Sequence, residues 1–257
     1  MIFDFRIYVL IGLFMINCIA LMIYNFTVIR YSKGQNTASA SKIEKWQKIL
    51  LQQTMTPLDS KSNASKHEKL LRKKLSNAEN LVAYSHALQH LRSEFPKAYK
   101  TYIRKQYSTF QRLADIYSRK SRVERTCYAD FICTFPEVAG DTHGQMVDTL
   151  ISYIDDSSIH CRTKVLRALC SIGTVHGVVN ALQVIHDKSL FVHKQLLTNE
   201  LSNFKGDKRV LGRYLRNESQ RWNDSISASV AQFISKFSSG YSEVLQDASV
   251  SVEARVA

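Results

Sequence analysis

Cys161 to Gly173 reads CRTKVLRALCSIG, with Val165, Leu169 and Ile172 three and four residues apart, as on one face of a helix. The same positions return along the chain. Phe135, Ile172, Phe204 and Phe237 stand at steps of 37, 32 and 33 residues. Ile132, Leu169, Leu201 and Ile234 repeat those steps, as do Tyr128, Val165, Leu197 and Val230. Between them Met146, Val178, Leu211 and Val244 form a further ladder at steps of 32, 33 and 33. A pair of amphipathic helices recurring at about this period marks an α-solenoid, because one pair cannot bury both of its apolar faces and neighbours must stack.

The expected fold class is therefore all-α: an N-terminal membrane-spanning helix followed by an α-solenoid. Its repeat core is expected at Phe135, Leu169, Ile172, Leu201, Phe204, Ile234 and Phe237. Only three prolines and nine glycines interrupt 257 residues, which argues against a turn-rich β fold. Ile172-Gly173 and Lys205-Gly206 place glycine after an apolar helix end, where a left-handed cap closes a helix. Asp156, Ser157 and Ser158, then Asp207 and Asp224, stand where N-caps belong.

The quoted stretch resembles the first helix of a HEAT-type repeat. Arg162 is followed three, six and seven positions on by Val165, Ala168 and Leu169, and glycine closes the run at Gly173. Val252 to Ala257 is similar to the start of another copy, with Arg255 in the arginine place. The units at Val123–Phe135 and Phe191–Phe204 keep the apolar rungs and read as having lost the arginine. The resemblance covers Ser121 to Ala257, and more loosely His67 to Lys120. It implies an array that binds proteins, although such arrays also bind nucleic acid or act on small ligands. The final copy stops one or two turns into a first helix, so the array is expected to continue beyond Ala257.

Upstream, Ile7 to Ile29 (IYVLIGLFMINCIALMIYNFTVI) is 23 residues without a charge. As a helix it would reach roughly 35 Å, enough to cross a hydrocarbon core of about 30 Å. Ala38-Ser39-Ala40 has the form of a signal-peptidase site, but the run is too long for a signal peptide and lacks a basic front end. Asp4 and Arg6 precede the run, whereas Arg30, Lys33, Lys42, Lys45 and Lys48 follow it. The positive-inside rule then puts the N-terminus outside and the rest in the cytoplasm of a single-pass membrane protein.

The net charge of +13 is uneven. Arg30 to Arg125 carries 21 Lys/Arg and 7 Asp/Glu, a net of +14, while Thr126 to Ala257 carries 13 and 14, a net of −1. An anionic lipid surface would attract the first segment, although solvated helix faces carry such charge equally well. Cys18, Cys127, Cys133, Cys161 and Cys170 are odd in number and without a C-x-x-C spacing, so a disulfide framework is not expected.

Four segments follow. Residues 1–30 are the anchor. Residues 31–66 are a tether with a short amphipathic helix over Ser41–Met55 and a second polar linker over Leu58–Lys66. Residues 67–120 are helical, with Pro96 opening one long helix that carries Tyr99, Ile103, Tyr107, Phe110, Leu113 and Tyr117. Residues 121–257 are the repeats. Arg30, Lys33, Lys42, Lys45, Trp46 and Lys48 are candidates for the membrane surface, a Trp beside a lysine row suiting an interfacial helix. The same helix could instead pack on the domain that follows.

The chain shows no glycine-rich phosphate loop, no G-x-S-x-G and no H-E-x-x-H. His86 and His90 could share a helix face but have no third ligand nearby. Asp155-Asp156 reads as a loop and cap rather than an acid/base pair, and His160 and Cys161 are neighbours that a helix turns apart. No catalytic residue, cofactor or metal is expected. The function expected is a membrane-anchored scaffold docking a protein partner, such as an integral membrane enzyme. The alternatives are a nucleic-acid-binding array and a HEAT-like lyase.

Overall fold

A computed structural model describes residues 21–22, 40–54, 61–140, 144–155, 158–218 and 221–236. Among these the regular elements are helical and no strand occurs. They are α1 (40–54), α2 (Lys61–Leu75), α3 (Ala78–Glu94), α4 (Pro96–Lys105), α5 (Tyr107–Ser118), α6 (Arg122–Thr134), a 3-10 turn (Pro136–Ala139), α7 (Gly144–Ser152), α8 (Ile159–Ile172), α9 (Val175–Asp187), α10 (Lys194–Ser202), α11 (Lys208–Glu218) and α12 (224–236). The stretch Ile7–Ile29 lies outside the described residues except for Leu21 and Met22, which are helical and exposed. Among the described residues no helix is long and apolar enough to cross a membrane.

The helices lie in two rows. In the first, α3 packs on α6, α6 on α8 and α8 on α10; in the second, α2 packs on α5, α5 on α7, α7 on α9 and α9 on α11. Both ends of the first row extend further. Trp46 of α1 meets Tyr84 of α3 edge-on, ring centroids 5.2 Å apart, and Lys42 Nζ lies 2.6 Å from Glu79 Oε2. At the other end Ser225 Oγ of α12 donates to Val192 O at 3.5 Å and Ser229 Oγ to Lys194 O at 3.3 Å. First turn meets first turn in each case, so the helices of this row run parallel.

The apolar ladders fill the space between the rows. Ile132, Leu169 and Leu201 are buried, as are Tyr128, Val165, Leu197 and Val230, and Met146, Val178 and Leu211 on the second-row helices. Phe135 and Phe204 are buried, while Ile172 and Ile234 are half-buried against the same core. Phe237 and Val244 lie outside the described residues. Each buried leucine or isoleucine contributes about 2 kcal/mol by leaving water.

Tyrosine hydroxyls add a second tie. Tyr117 Oη donates to Leu75 O at 2.8 Å, Tyr128 Oη to Phe110 O at 2.6 Å and Tyr153 Oη to Ala114 O at 2.6 Å. Each reaches back to a preceding helix, and burial pushes all three phenols above their ordinary range. The later rungs equivalent to Tyr128 are Val165, Leu197 and Val230, which can make no such bond.

Local chemistry sets the helix ends. Ser121 and Glu124 form a capping box at the start of α6. Ser158 caps α8 through the Cys161 amide, and Gly173 ends α8 in the left-handed conformation with φ +83°. Asp207 accepts from the amides of Arg209 and Val210 and caps α11. At α12 the cap is Asn223, which accepts from Ile226 N at 3.0 Å, rather than Asp224 beside it. Gly206 also departs from expectation, because its φ is not positive and it closes no helix. It permits contact between successive turns: a Cβ there would lie 2.3 Å from Gly173 O, and Lys205 N donates to Cys170 O at 2.9 Å.

Three boundaries are corrected. Trp46 and Leu50 are buried, so α1 is the first helix of the array rather than part of a tether. The expected polar linker to Lys66 is helical from Lys61 onward. The long helix opened by Pro96 is broken at Gln106, which is buried and whose amide donates to Ile103 O at 3.0 Å. One turn residue takes the place of one helical residue, so Ile103, Phe110, Leu113 and Tyr117 all remain buried.

His67 of α2 sits at the seam with α4. Its Nε2 lies 3.1 Å from Tyr102 Oη, and Tyr84 Oη donates to the same oxygen at 3.1 Å. Burial lowers the imidazole pKa, so the folded chain takes up its proton at lower pH than the unfolded chain does. Stability is therefore full above about pH 6.5 and is lost as pH falls from there toward the lowered folded value. The urea midpoint of the wild type should fall between about pH 7 and 5 more steeply than that of His67→Phe. Parallel curves would remove His67 as the cause.

Candidate docking grooves and a basic edge

The outer face of the first row is joined unit to unit by ion pairs. Lys164 of α8 pairs with Asp130 of α6. Arg167 of α8 clamps Glu200 of α10: Nε lies 2.9 and 3.0 Å from its two oxygens, and Nη2 lies 2.5 Å from Oε1. The Glu200 side chain is 3% exposed and that of Arg167 41%. Such a fork holds a desolvated carboxylate in a fixed orientation.

Beside this clamp a groove of about 570 Å³ opens over α8, α10 and α12, lined in part by Arg167, Leu196, Glu200, Lys208, Phe233 and Lys236. A second groove, of about 390 Å³, lies where α4, α5, the 3-10 turn and the end of α8 meet. Tyr99, Lys100, Arg104 and Tyr107 line one side of it and Glu137 the other. Glu137 accepts from Arg92 Nη2 at 2.8 Å and Tyr99 Oη at 3.3 Å. Both grooves are open and edged with cations and apolar groups, a surface suited to side chains of another macromolecule.

The arginine place reads differently in three dimensions. Arg125 precedes Tyr128 as Arg162 precedes Val165, 37 residues apart like the rungs themselves. Both guanidinium stems are buried, at 9% and 8% exposure. The unit at Val123–Phe135 therefore keeps its arginine.

Of the membrane-surface candidates, Arg30 and Lys33 lie outside the described residues. Trp46 is 5% exposed inside the array and cannot serve an interface. Lys42 is engaged by Glu79, and Lys48 pairs with Glu44 at 2.7 Å. Lys45 is exposed.

His86 and His90 are both exposed on α3, and His90 Nε2 lies 3.1 Å from Glu94. Asp155 pairs with Lys188, and Asp156 lies outside the described residues. His160 is exposed while Cys161 is buried. Cys127, Cys133, Cys161 and Cys170 are free thiols, and burial pushes those of Cys127 and Cys170 up. Among the described residues no group of three His, Cys, Asp or Glu could hold a metal ion.

The turns leading from the second row back to the first gather along one edge, together with the first residue of α1. Lys120 Nζ joins Ser76 O, Lys188 joins Asp155, and Asn223 N donates to His186 Nδ1 at 3.2 Å. Along this edge Lys73, Lys74, Arg119, His160, His193 and Lys194 are exposed. Val123, Ile159 and Phe191 stand exposed at the starts of three successive first-row units, at 73%, 44% and 61%. Sequence reading missed them, although their spacings of 36 and 32 residues follow the ladders.

Comparison of the chain with models of known protein families, with curated proteins and with solved structures finds no match.

Proposed function

We propose that the chain is a single-pass membrane protein whose array from residue 40 onward is a cytoplasmic α-solenoid of HEAT-like helical pairs, and that it acts as a scaffold for a protein partner. The observation that carries this reading is the regular stacking of α6, α8 and α10, which presents one outer face crossed by the Asp130–Lys164 and Arg167–Glu200 pairs. Stacked helix pairs of this kind build extended binding surfaces. The 23 uncharged residues ahead of the array, flanked by cations on the array side, support the anchor and its direction.

Two measurements test it. A reporter fused after Ala257 should be cytoplasmic, and a reporter found outside overturns the orientation. A defined partner should co-purify from detergent extracts with the wild type. It should be reduced about tenfold by Leu196→Arg, which places a bulky cation in the larger groove without entering the core. Retention unchanged by Leu196→Arg removes that groove, and no co-purifying protein removes the scaffold reading.

A further inference from the structure

We propose that the edge carrying the turns from second row to first rests on an anionic bilayer surface, so that the helices stand end-on to the membrane instead of lying along it. This rests on the membrane-anchored reading above.

The connection to the anchor comes first. The uncharged run ends at Ile29 and α1 begins at residue 40, with Lys42 in its first turn paired to Glu79 in the first turn of α3. The chain therefore enters the array at this edge. The ten residues between reach at most roughly 35 Å even when fully extended. The edge cannot stray far from the lipid surface.

Charge is the second observation. Arg72, Lys73 and Lys74 occupy the last turn of α2, and Arg119 follows α5. None of the four has an ion-pair partner among the described residues. The carboxylates of this edge are mostly neutralised locally: Glu79 by Lys42, Glu124 by Lys120, Asp155 by Lys188 and Glu218 by Arg221. Asp187 and Asp224 remain, both at the end far from α1. The uncompensated positive charge is thus greatest where the chain leaves the membrane, as attraction to anionic headgroups requires.

The apolar residues are the third. Val123, Ile159 and Phe191 project one per unit among these cations. Aliphatic and aromatic groups interleaved with Lys and Arg suit the headgroup boundary, where the apolar group is buried and the cation meets phosphate. The opposite edge, with the turns near Phe95, Gly173 and Lys205, carries cations as well, but Phe95 is its only exposed large apolar residue among those described.

The test uses the full chain reconstituted in vesicles of about 30 % anionic lipid, with the photo-reactive residue p-benzoylphenylalanine at position 191 or, as control, 95. Lipid adducts at 191 should exceed those at 95 about tenfold, and should fall at about 1 M salt, where the screening length shrinks to about 3 Å. Lys73→Glu with Lys74→Glu and Arg119→Glu should reduce the adduct at 191 without changing that at 95. Equal adducts at the two positions, or adducts at 191 to a second copy or another protein, overturn the proposal. Resistance to alkaline extraction is read on the same vesicles. If the chain is extracted, the anchor reading fails and this inference with it; if it is retained but 191 yields no lipid adduct, only this inference fails.

Discussion

Leu169→Asp is expected to abolish cooperative unfolding of the helical array. Leu169 is fully buried on α8, the helix that packs against both α6 and α10. The substitution removes about 2 kcal/mol of apolar burial. It also places a carboxylate where no cation or amide is waiting, adding several kcal/mol of desolvation unless the site opens to water. Together these rival the roughly 5–15 kcal/mol that holds a typical domain folded. Lys188→Asp is the matched control, since Lys188 and its partner Asp155 are both solvent-exposed and such a pair is worth about 0–1 kcal/mol. Urea unfolding followed by circular dichroism should show a lost transition for the first variant and a near-native one for the second. Equal effects would mean that the ladder register is wrong.

Gly206→Ala should destabilise the array by about 3 kcal/mol, far more than one methyl group ordinarily does. The added Cβ would lie 2.3 Å from Gly173 O, a backbone atom with no rotamer to yield. Gly173 cannot retreat easily, because it closes α8 in the left-handed region at φ +83°. Relief would separate the turns after α8 and α10 and break the Lys205 N to Cys170 O hydrogen bond. Gly212→Ala, inside α11 with nothing within 4 Å of the new methyl group, should instead stabilise by about 0.5–1 kcal/mol. Thermal midpoints of the two variants should move in opposite directions. A tolerated Gly206→Ala would show that the two turns do not touch.

The periodic parts of this architecture were legible in the residues because burial is periodic. Tyr128, Val165, Leu197 and Val230 must all face the space between rows, and a 33-residue step carries that requirement from unit to unit. The break at Gln106 was not legible, since a one-residue turn leaves the apolar phase of Ile103, Phe110 and Leu113 unchanged. Trp46 could be read either way, because an aromatic beside lysines has the same composition at a membrane and at a domain surface. Only its partner Tyr84, 38 residues on, decides the matter.

The polar members were harder still. Glu200 looks like an ordinary surface acid until Arg167, 33 residues earlier, is seen to enclose it. Arg125 was overlooked because the unit was indexed from Val123 rather than from the rung at Tyr128. The exposed set of Val123, Ile159 and Phe191 has the helical spacing of a core but stands one turn too early to enter it. Pattern alone gives the period of such residues and not their depth.

The three tyrosine hydroxyls that reach back to Leu75, Phe110 and Ala114 all belong to the half of the array nearest α1. Beyond α8 the successive units meet through apolar contacts and side-chain ties at the surface, with valine and leucine in the equivalent places. Mechanical load drawn between the two ends would therefore meet unequal resistance. A short, oriented hydrogen bond buried from water fails abruptly over a fraction of an ångström, whereas apolar contacts give way gradually. Under tension the far units would peel away first and let the chain lengthen, while the portion adjoining α1 kept its shape. The array would then act as a graded spring, stiff at its root and compliant toward its tip.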